Sequence, residues 1–215
     1  MEKSRDVWTI SSLLNWTINY FKSKGIESAR LDAEVLLSHV LGQKRIYLYV
    51  HFDEPMEAKE LAKFREYVAK RARHIPVAYI LGQREFMGFD FKVTKDTLIP
   101  RPDTEILVEN TIAKVNENFG DKQSYDIVDI GTGSGAIILS LLKNLPKAKG
   151  FTVDISANAI AVAKENAQNL QVDDRCEFFV GDLFEPVKDK VFDVIVSNPP
   201  YIPQKDIATL EIDVK

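Results

Sequence analysis

Apolar positions recur at helical spacing through the first part of the chain. Val7, Ile10, Leu14, Ile18 and Phe21 share one helix face, with Gly25 as a stop. Ala29, Ala33, Leu36, Leu37 and Val40 form a second stripe, ended by Gly42, and Leu61, Phe64, Val68 and Ala72 form a third after Pro55. Short connections between such helices predict a small bundle, with Trp8, Trp16, Tyr47 and Tyr49 in its core or rim rather than in a base-stacking platform. The helical period breaks between about residues 75 and 100, where a domain boundary is expected. Two alternating runs around Met87-Gly88, within Glu85–Val93, predict a β-hairpin. The stretch Ile99-Pro100-Arg101-Pro102-Asp103 then leads stiffly into a helix capped by Asp103 or Thr104.

Beyond Tyr125 the period changes. Strands are expected at Asp126–Ile130, Gly150–Asp154, Cys176–Gly181 and Phe192–Ser197, with helices at Ala136–Lys143 and Ala157–Leu170. Short apolar strands alternating with helices predict a parallel α/β sheet wrapped on both faces, its fourth strand beside its first. Val194-Ile195-Val196 looks buried on both sides and would make an awkward sheet edge, so the chain reads as a fragment lacking further C-terminal strands. The expected organisation is a helical substrate-recognition domain over 1–75, a linker with a hairpin over 76–102, and a cofactor-binding domain over 103–215.

Composition narrows the setting. No apolar run approaches a membrane span, the N-terminus lacks a signal core, and the single Cys176 excludes an internal disulfide or a cysteine zinc site. These features fit a cytoplasmic protein. The net charge of −4 is uneven: residues 1–100 carry 16 Lys+Arg against 13 Asp+Glu, the remainder 12 against 19. The first half is too mildly basic for a dedicated duplex-binding surface. Its densest basic spot, Lys70, Arg71, Arg73 and His74, reads as a solvated helix end complementing the helix dipole.

The chemistry concentrates at two motifs. Asp129-Ile130-Gly131-Thr132-Gly133-Ser134-Gly135-Ala136 carries a strand through a glycine turn into a helix, which lets backbone approach a ligand. Asp154, nineteen residues past Gly135, ends the next strand and can accept both hydroxyls of a ribose. Together they indicate an adenosine-type cofactor, but Gly131-x-Gly133-x-x-Ala136 also satisfies a relaxed dinucleotide fingerprint, so a nicotinamide dehydrogenase stays open at this point. Asp182 could reach an adenine amino group or be an ordinary loop carboxylate.

Ser197-Asn198-Pro199-Pro200-Tyr201 follows the fourth strand and faces the same cleft. The prolines stiffen the backbone. The Asn198 side-chain oxygen and the Pro199 carbonyl can both accept from one NH2 group, and Tyr201 offers a ring for a flat group to stack on. Such a site binds a planar amide or exocyclic amine and aims its nitrogen at a methyl sulfonium. It serves no evident purpose in hydride transfer.

The chain resembles the release factor glutamine methyltransferases, the PrmC/HemK family, over nearly its whole length. The resemblance rests on the helical N-terminal part, the hairpin, Leu98-Ile99-Pro100-Arg101-Pro102-Asp103-Thr104-Glu105, the glycine loop and Asn198–Tyr201. It implies a Rossmann-like class I methyltransferase domain of seven strands, S-adenosylmethionine as methyl donor, and the glutamine of the Gly-Gly-Gln motif in class-1 release factors as substrate. Family cofactor positions fall on Gly131, Thr132, Gly133, Ser134, Gly135, Asp154 and Leu183, and Asp182 and Asn198 complete the expected cofactor set. The family's substrate loop falls on Asn198, Pro199, Pro200 and Tyr201, of which Asn198, Pro199 and Tyr201 are expected to be catalytic, and Arg101 is a further expected substrate contact. Some members carry tryptophan where Leu183 stands, and the smaller side chain still leaves an adenine wall.

The mechanism these residues imply is in-line transfer to an amide nitrogen whose protons are both held by acceptors, with no metal and no strong base. His39, His51 and His74 lie in the helical part and read as surface or core residues. Two rivals of other kinds are a nucleic-acid amine methyltransferase, against which the lack of a basic, aromatic-interleaved region argues, and a truncated cofactor-binding fragment without turnover.

Overall fold

The computed structural model describes residues 7–199. They form two compact units, divided between Leu81 and Gly82.

The first unit is helical: α1 Ile10–Ser23, α2 Ala29–Leu41, α3 Arg45–Val50, α4 Ala58–Arg71 and α5 Val77–Leu81. The Thr9 hydroxyl accepts the Ser12 amide at 3.2 Å and starts α1, while Gly42 at φ 62° ends α2 in the left-handed conformation that a Cβ would disfavour. The three stripes read from the sequence become α1, α2 and α4, except that Val7 precedes α1 and is exposed, and their apolar faces meet in one core containing Phe21, Leu36, Leu37, Phe64 and Val68. α3 and α5 were not expected; at six and five residues they are too short to show a period. Trp8, Trp16 and Tyr49 sit on the rim as exposed side chains.

The basic helix end departs from expectation. Arg71 is buried and pairs with Asp32 at 2.7 Å across the bundle. Its position at the last turn of α4 faces α2 rather than solvent. A charge buried here keeps its partner because removing one member leaves the other uncompensated, at a cost of about 3–5 kcal/mol.

The second unit opens with a hairpin, β1 Gln83–Phe86 and β2 Phe89–Lys92. Met87 and Gly88 both have positive φ, 53° and 79°, as a two-residue turn between right-twisted strands demands. The hairpin is built into this unit: Phe86 and Phe91 lie in the same core as the sheet residues, and the Asn166 side chain behaves like a neighbouring strand, accepting the Lys92 N–H at 2.7 Å and donating to the Lys92 carbonyl at 3.0 Å.

α6 Asp103–Phe119 follows. Neither Asp103 nor Thr104 caps it. The helix begins a residue earlier than expected, with Pro102 in the cap position and no side-chain cap bond, and Asp103 and Glu105 in the first turn complement the dipole instead.

Four strands, β3 Tyr125–Ile130, β4 Ala148–Asp154, β5 Cys176–Val180 and β6 Val194–Ser197, form a parallel sheet in the order β5-β4-β3-β6. α7 Ala136–Asn144 and α8 Ala157–Asn169 are the crossovers. β6 pairs beside β3, as the sequence predicted. The chain therefore steps outward from β3 to β5 and then reverses to β6, which puts the topological switch point at the carboxyl end of β3.

The two faces of this sheet differ. Ile127 and Val196 pack with α6, α7 and α8, whereas Val128, Ile130, Phe151 and Val153 pack with Phe179, Phe192 and Val187, the last from a short 3-10 turn, Glu185–Val187. Among the described residues α-helices thus cover one face, not both. Ile195, which alternates onto the other face, is 59% exposed. Among the described residues, no element covers the side of β6 that carries Ile195.

Candidate active site

The carboxyl ends of β3, β4 and β6 lie level, with Ile130 paired to both Val153 and Ser197. Above them opens a cleft of about 450 Å³, within the range of small-molecule sites. Gly131, Gly133, Asp154, Asp182, Leu183, Asn198 and Pro199 all line it. Two motifs more than sixty residues apart in sequence therefore share one cavity.

The glycine loop is held from several sides. Gly131 donates its N–H to the Val153 carbonyl at 2.8 Å. Gly133 donates its N–H to Asp154 Oδ2 at 2.8 Å, and Ser156 donates to Asp154 Oδ1 at 2.9 Å. A carboxylate offers about four lone-pair sites, so both oxygens of Asp154 keep capacity for ribose hydroxyls. Asn166 donates its second amide hydrogen to the Ser134 carbonyl at 2.8 Å, linking the far side of the loop to α8 and, through Lys92, to the hairpin.

The glycines divide by purpose. At Gly131 and Gly133, with φ of 76° and 56°, an added Cβ would meet nothing within 4 Å; they leave open space at the cleft. Gly135 differs. Its Cβ would stand 2.9 Å from Leu139 Cδ1 and 3.2 Å from the Ala163 Cβ, so it makes room for helix packing behind the loop. Thr132 and Ser134 are buried and border a smaller hollow of about 60 Å³ shared with Arg101 and Asn198. Arg101 itself is exposed.

Beneath the loop Asp129 is fully buried, its Oδ2 accepting the Thr132 hydroxyl at 2.7 Å. Burial drives its carboxyl up to about 7, the Thr132 hydrogen bond opposes the rise, and the negative charge of Asp154 adds to it. The sequence shows Asp129 only as the first residue of the glycine motif and assigns it no role. Its neighbourhood depends on α7 packing over it, which no local spacing records.

Leu183 lies at the cleft wall, 62% exposed, with φ 44°. A branched residue in the left-handed region is strained, and such strain is found at ligand-facing turns. The turn before it is tight: a Cβ on Gly181 would come within 2.2 Å of Pro186 Cγ. Two further exposed apolar side chains, Leu98 and Ile155, extend the wall; the sequence gives neither a ligand role, because one exposed apolar side chain in a loop carries no period.

At the other end of the cleft, Ser197 donates its hydroxyl to the Ile130 carbonyl at 2.7 Å, fixing the residue before Asn198 to β3. Asn198 is half-buried, and its Nδ2 donates to Thr104 Oγ1 at 2.9 Å. Pro200 and Tyr201 lie outside the described residues.

Two family models match the chain: the PrmC N-terminal domain over residues 12–82 and the methyltransferase small domain over residues 104–212. The release factor glutamine methyltransferase of Rhodopirellula baltica is 44% identical over 100% of this chain and 73% of its own length. That of Geobacter sulfurreducens is 46% identical with the same two coverages. The chain belongs to the release factor glutamine methyltransferase family. A third member, from Chlorobaculum tepidum, is 42% identical over 97% of this chain and 73% of its own length. Membership in this family removes the dehydrogenase alternative that the glycine motif left open. The match of its first model ends at residue 82, at the division between the two units.

Proposed function

We propose that the protein transfers a methyl group from S-adenosylmethionine to the side-chain amide nitrogen of the glutamine in the Gly-Gly-Gln motif of class-1 peptide chain release factors. The observation that carries the reading is the meeting of Asn198 and Pro199 with Gly131, Gly133 and Asp154 around one cleft, in a chain of this family.

The residues present suit the cofactor. The space over Gly131 and Gly133 is open, Asp154 has free acceptor capacity for a ribose, and Leu98, Ile155 and Leu183 supply an apolar wall for a purine. Asp182 is exposed at the same wall, in place to accept from an adenine amino group. When bound, the cofactor supplies an electrophilic methyl group.

The chain's own residues prepare the nucleophile. An amide nitrogen is weak because its electron pair is delocalised into the carbonyl. The Asn198 side-chain oxygen and the Pro199 carbonyl accept the two protons of the NH2 group, stabilise positive charge growing on nitrogen, and orient the pair out of the amide plane. Held in line with the methyl donor, the nitrogen would gain much of the remaining rate by proximity and orientation. Tyr201 provides a ring face against the flat amide. As the N–C bond forms and the methyl–sulfur bond breaks, the nitrogen would become strongly acidic and lose one proton along one of these hydrogen bonds to solvent, so no strong base is needed.

The helical unit serves substrate recognition: it has its own core, and Gly131, Gly133, Asp154 and Asn198 all belong to the other unit. The partner is the release factor itself, without direct contact to nucleic acid, and the reaction takes place in the cytoplasm. No helix among the described residues is long and apolar enough to cross a membrane.

The test is cofactor turnover. Demethylated cofactor should form when purified release factor is added and should not form with duplex DNA, single-stranded DNA or RNA. Turnover stimulated by nucleic acid and not by release factor would assign the site to an exocyclic amine.

A further inference from the structure

Asn198 must present oxygen, not NH2, to the substrate amide. A carboxamide has two nearly isosteric orientations about its last torsion, and that torsion has only a soft preference of its own. With NH2 turned into the cleft, Asn198 would oppose the substrate NH2 with two donors and could accept neither proton. Something outside the side chain has to select the orientation.

The structure offers one partner for this. Asn198 Nδ2 donates to Thr104 Oγ1 at 2.9 Å, across 94 residues of sequence. Thr104 stands on the first turn of α6, its own N–H donating to the Arg101 carbonyl at 3.0 Å. The next residue, Glu105, accepts the Met87 N–H of the hairpin turn at 2.7 Å. The hydroxyl therefore sits on a turn tied on both sides, and Asn198 borders both the small hollow it shares with Thr104 and the large cleft. Thr104 Oγ1, which can accept as well as donate, here accepts from the NH2 end of Asn198, and the Oδ1 end remains available to the cleft that Asn198 lines.

We infer that Thr104 is a positioning residue for methyl transfer: its hydroxyl oxygen holds the Asn198 amide with the acceptor end toward the substrate nitrogen. This rests on the proposed role of Asn198 and adds the residue that sets its orientation. Thr104 was legible in the sequence only as a helix cap, a role it does not take.

Three variants test it in the intact protein: Thr104→Val, which keeps shape and removes the oxygen; Thr104→Ser, which restores it; and Thr104→Val combined with Asn198→Ala. Thr104→Val should lower kcat about tenfold, the scale of one lost neutral hydrogen bond, with KM for the release factor and cofactor affinity unchanged. Thr104→Ser should recover most of kcat. In the Asn198→Ala background, Thr104→Val should cause no further loss. A Thr104→Val enzyme with normal kcat, or one whose loss is equally large without the Asn198 amide, overturns the proposal.

A second measurement does not depend on turnover. The side-chain amide protons of Asn198, identified in an NMR spectrum by their loss in Asn198→Ala, should be slowed in exchange in the wild type and in Thr104→Ser and fast in Thr104→Val. Equal exchange in all three overturns the bond. If the wild type slows exchange but does not methylate release factor, the substrate reading fails while the orientation of Asn198 stands.

Discussion

The carboxylate of Asp154 accepts the backbone N–H of Gly133 at 2.8 Å. The end of β4 thus sets the shape of the loop that follows β3, and the same side chain is the one proposed to hold the ribose. Asp154→Ala should weaken cofactor binding by roughly ten- to a hundredfold, the scale of hydrogen bonds to a charged group. Asp154→Asn, which keeps an oxygen for the Gly133 N–H, should be milder. Isothermal calorimetry with the demethylated cofactor measures both, and unchanged affinity in the alanine variant removes Asp154 from the ribose site.

The glycines should separate in the same assay. Gly135→Ala forces a Cβ to 2.9 Å from Leu139 at φ 81°, so it should cost about 1–3 kcal/mol of stability, seen as a lowered urea midpoint. Gly133→Ala meets no neighbour within 4 Å, so its packing cost is smaller and its main effect should be on cofactor affinity. Equal loss of stability in the two variants would contradict the division of roles.

Asp129 predicts a pH dependence of stability. Its carboxyl titrates at about 7 in the folded protein against 3.8 ordinarily, so the folded state holds the proton more tightly. Its contribution is complete below pH 3.8 and is lost progressively as pH rises through about 7. Asp129→Asn carries no charge at any pH and keeps an acceptor for the Thr132 hydroxyl. Urea unfolding at pH 5 and pH 8 should show the wild type losing ground to the variant at the higher pH. An identical fall in both proteins would place the dependence elsewhere.

Asn198→Ala removes one of the two acceptors proposed for the substrate NH2. It should lower turnover by about two to three orders of magnitude, as for a lost preorganised polar group, and leave cofactor binding largely intact. Steady-state kinetics with release factor decides this; near-normal turnover would defeat the proposed mechanism.

Features carried by local pattern were legible in the sequence. The strand–glycine–helix step, Asp154 at the next strand end, the Met87-Gly88 turn and the stripes of α1, α2 and α4 all follow from spacing of a few residues to a few turns. Features made by distant partners were not. The Asn198–Thr104 bond spans 94 residues and the Asn166–Lys92 pair spans 74, and neither leaves a period to read. Arg71 was misread for the same reason: a basic residue at a helix end looks solvated until the packing of α2 supplies Asp32. The cap of α6 was misplaced because the Pro102 ring can itself occupy the position, leaving the Thr104 hydroxyl free for another partner.

The central claim is the identity of the methylated atom. Release factor incubated with the protein and S-adenosylmethionine, digested and sequenced by tandem mass spectrometry, locates it directly. One methyl group on the side chain of the glutamine in the Gly-Gly-Gln motif is the predicted result. A methyl group on any other residue, or none on a release factor under conditions where the cofactor is consumed, would contradict the account.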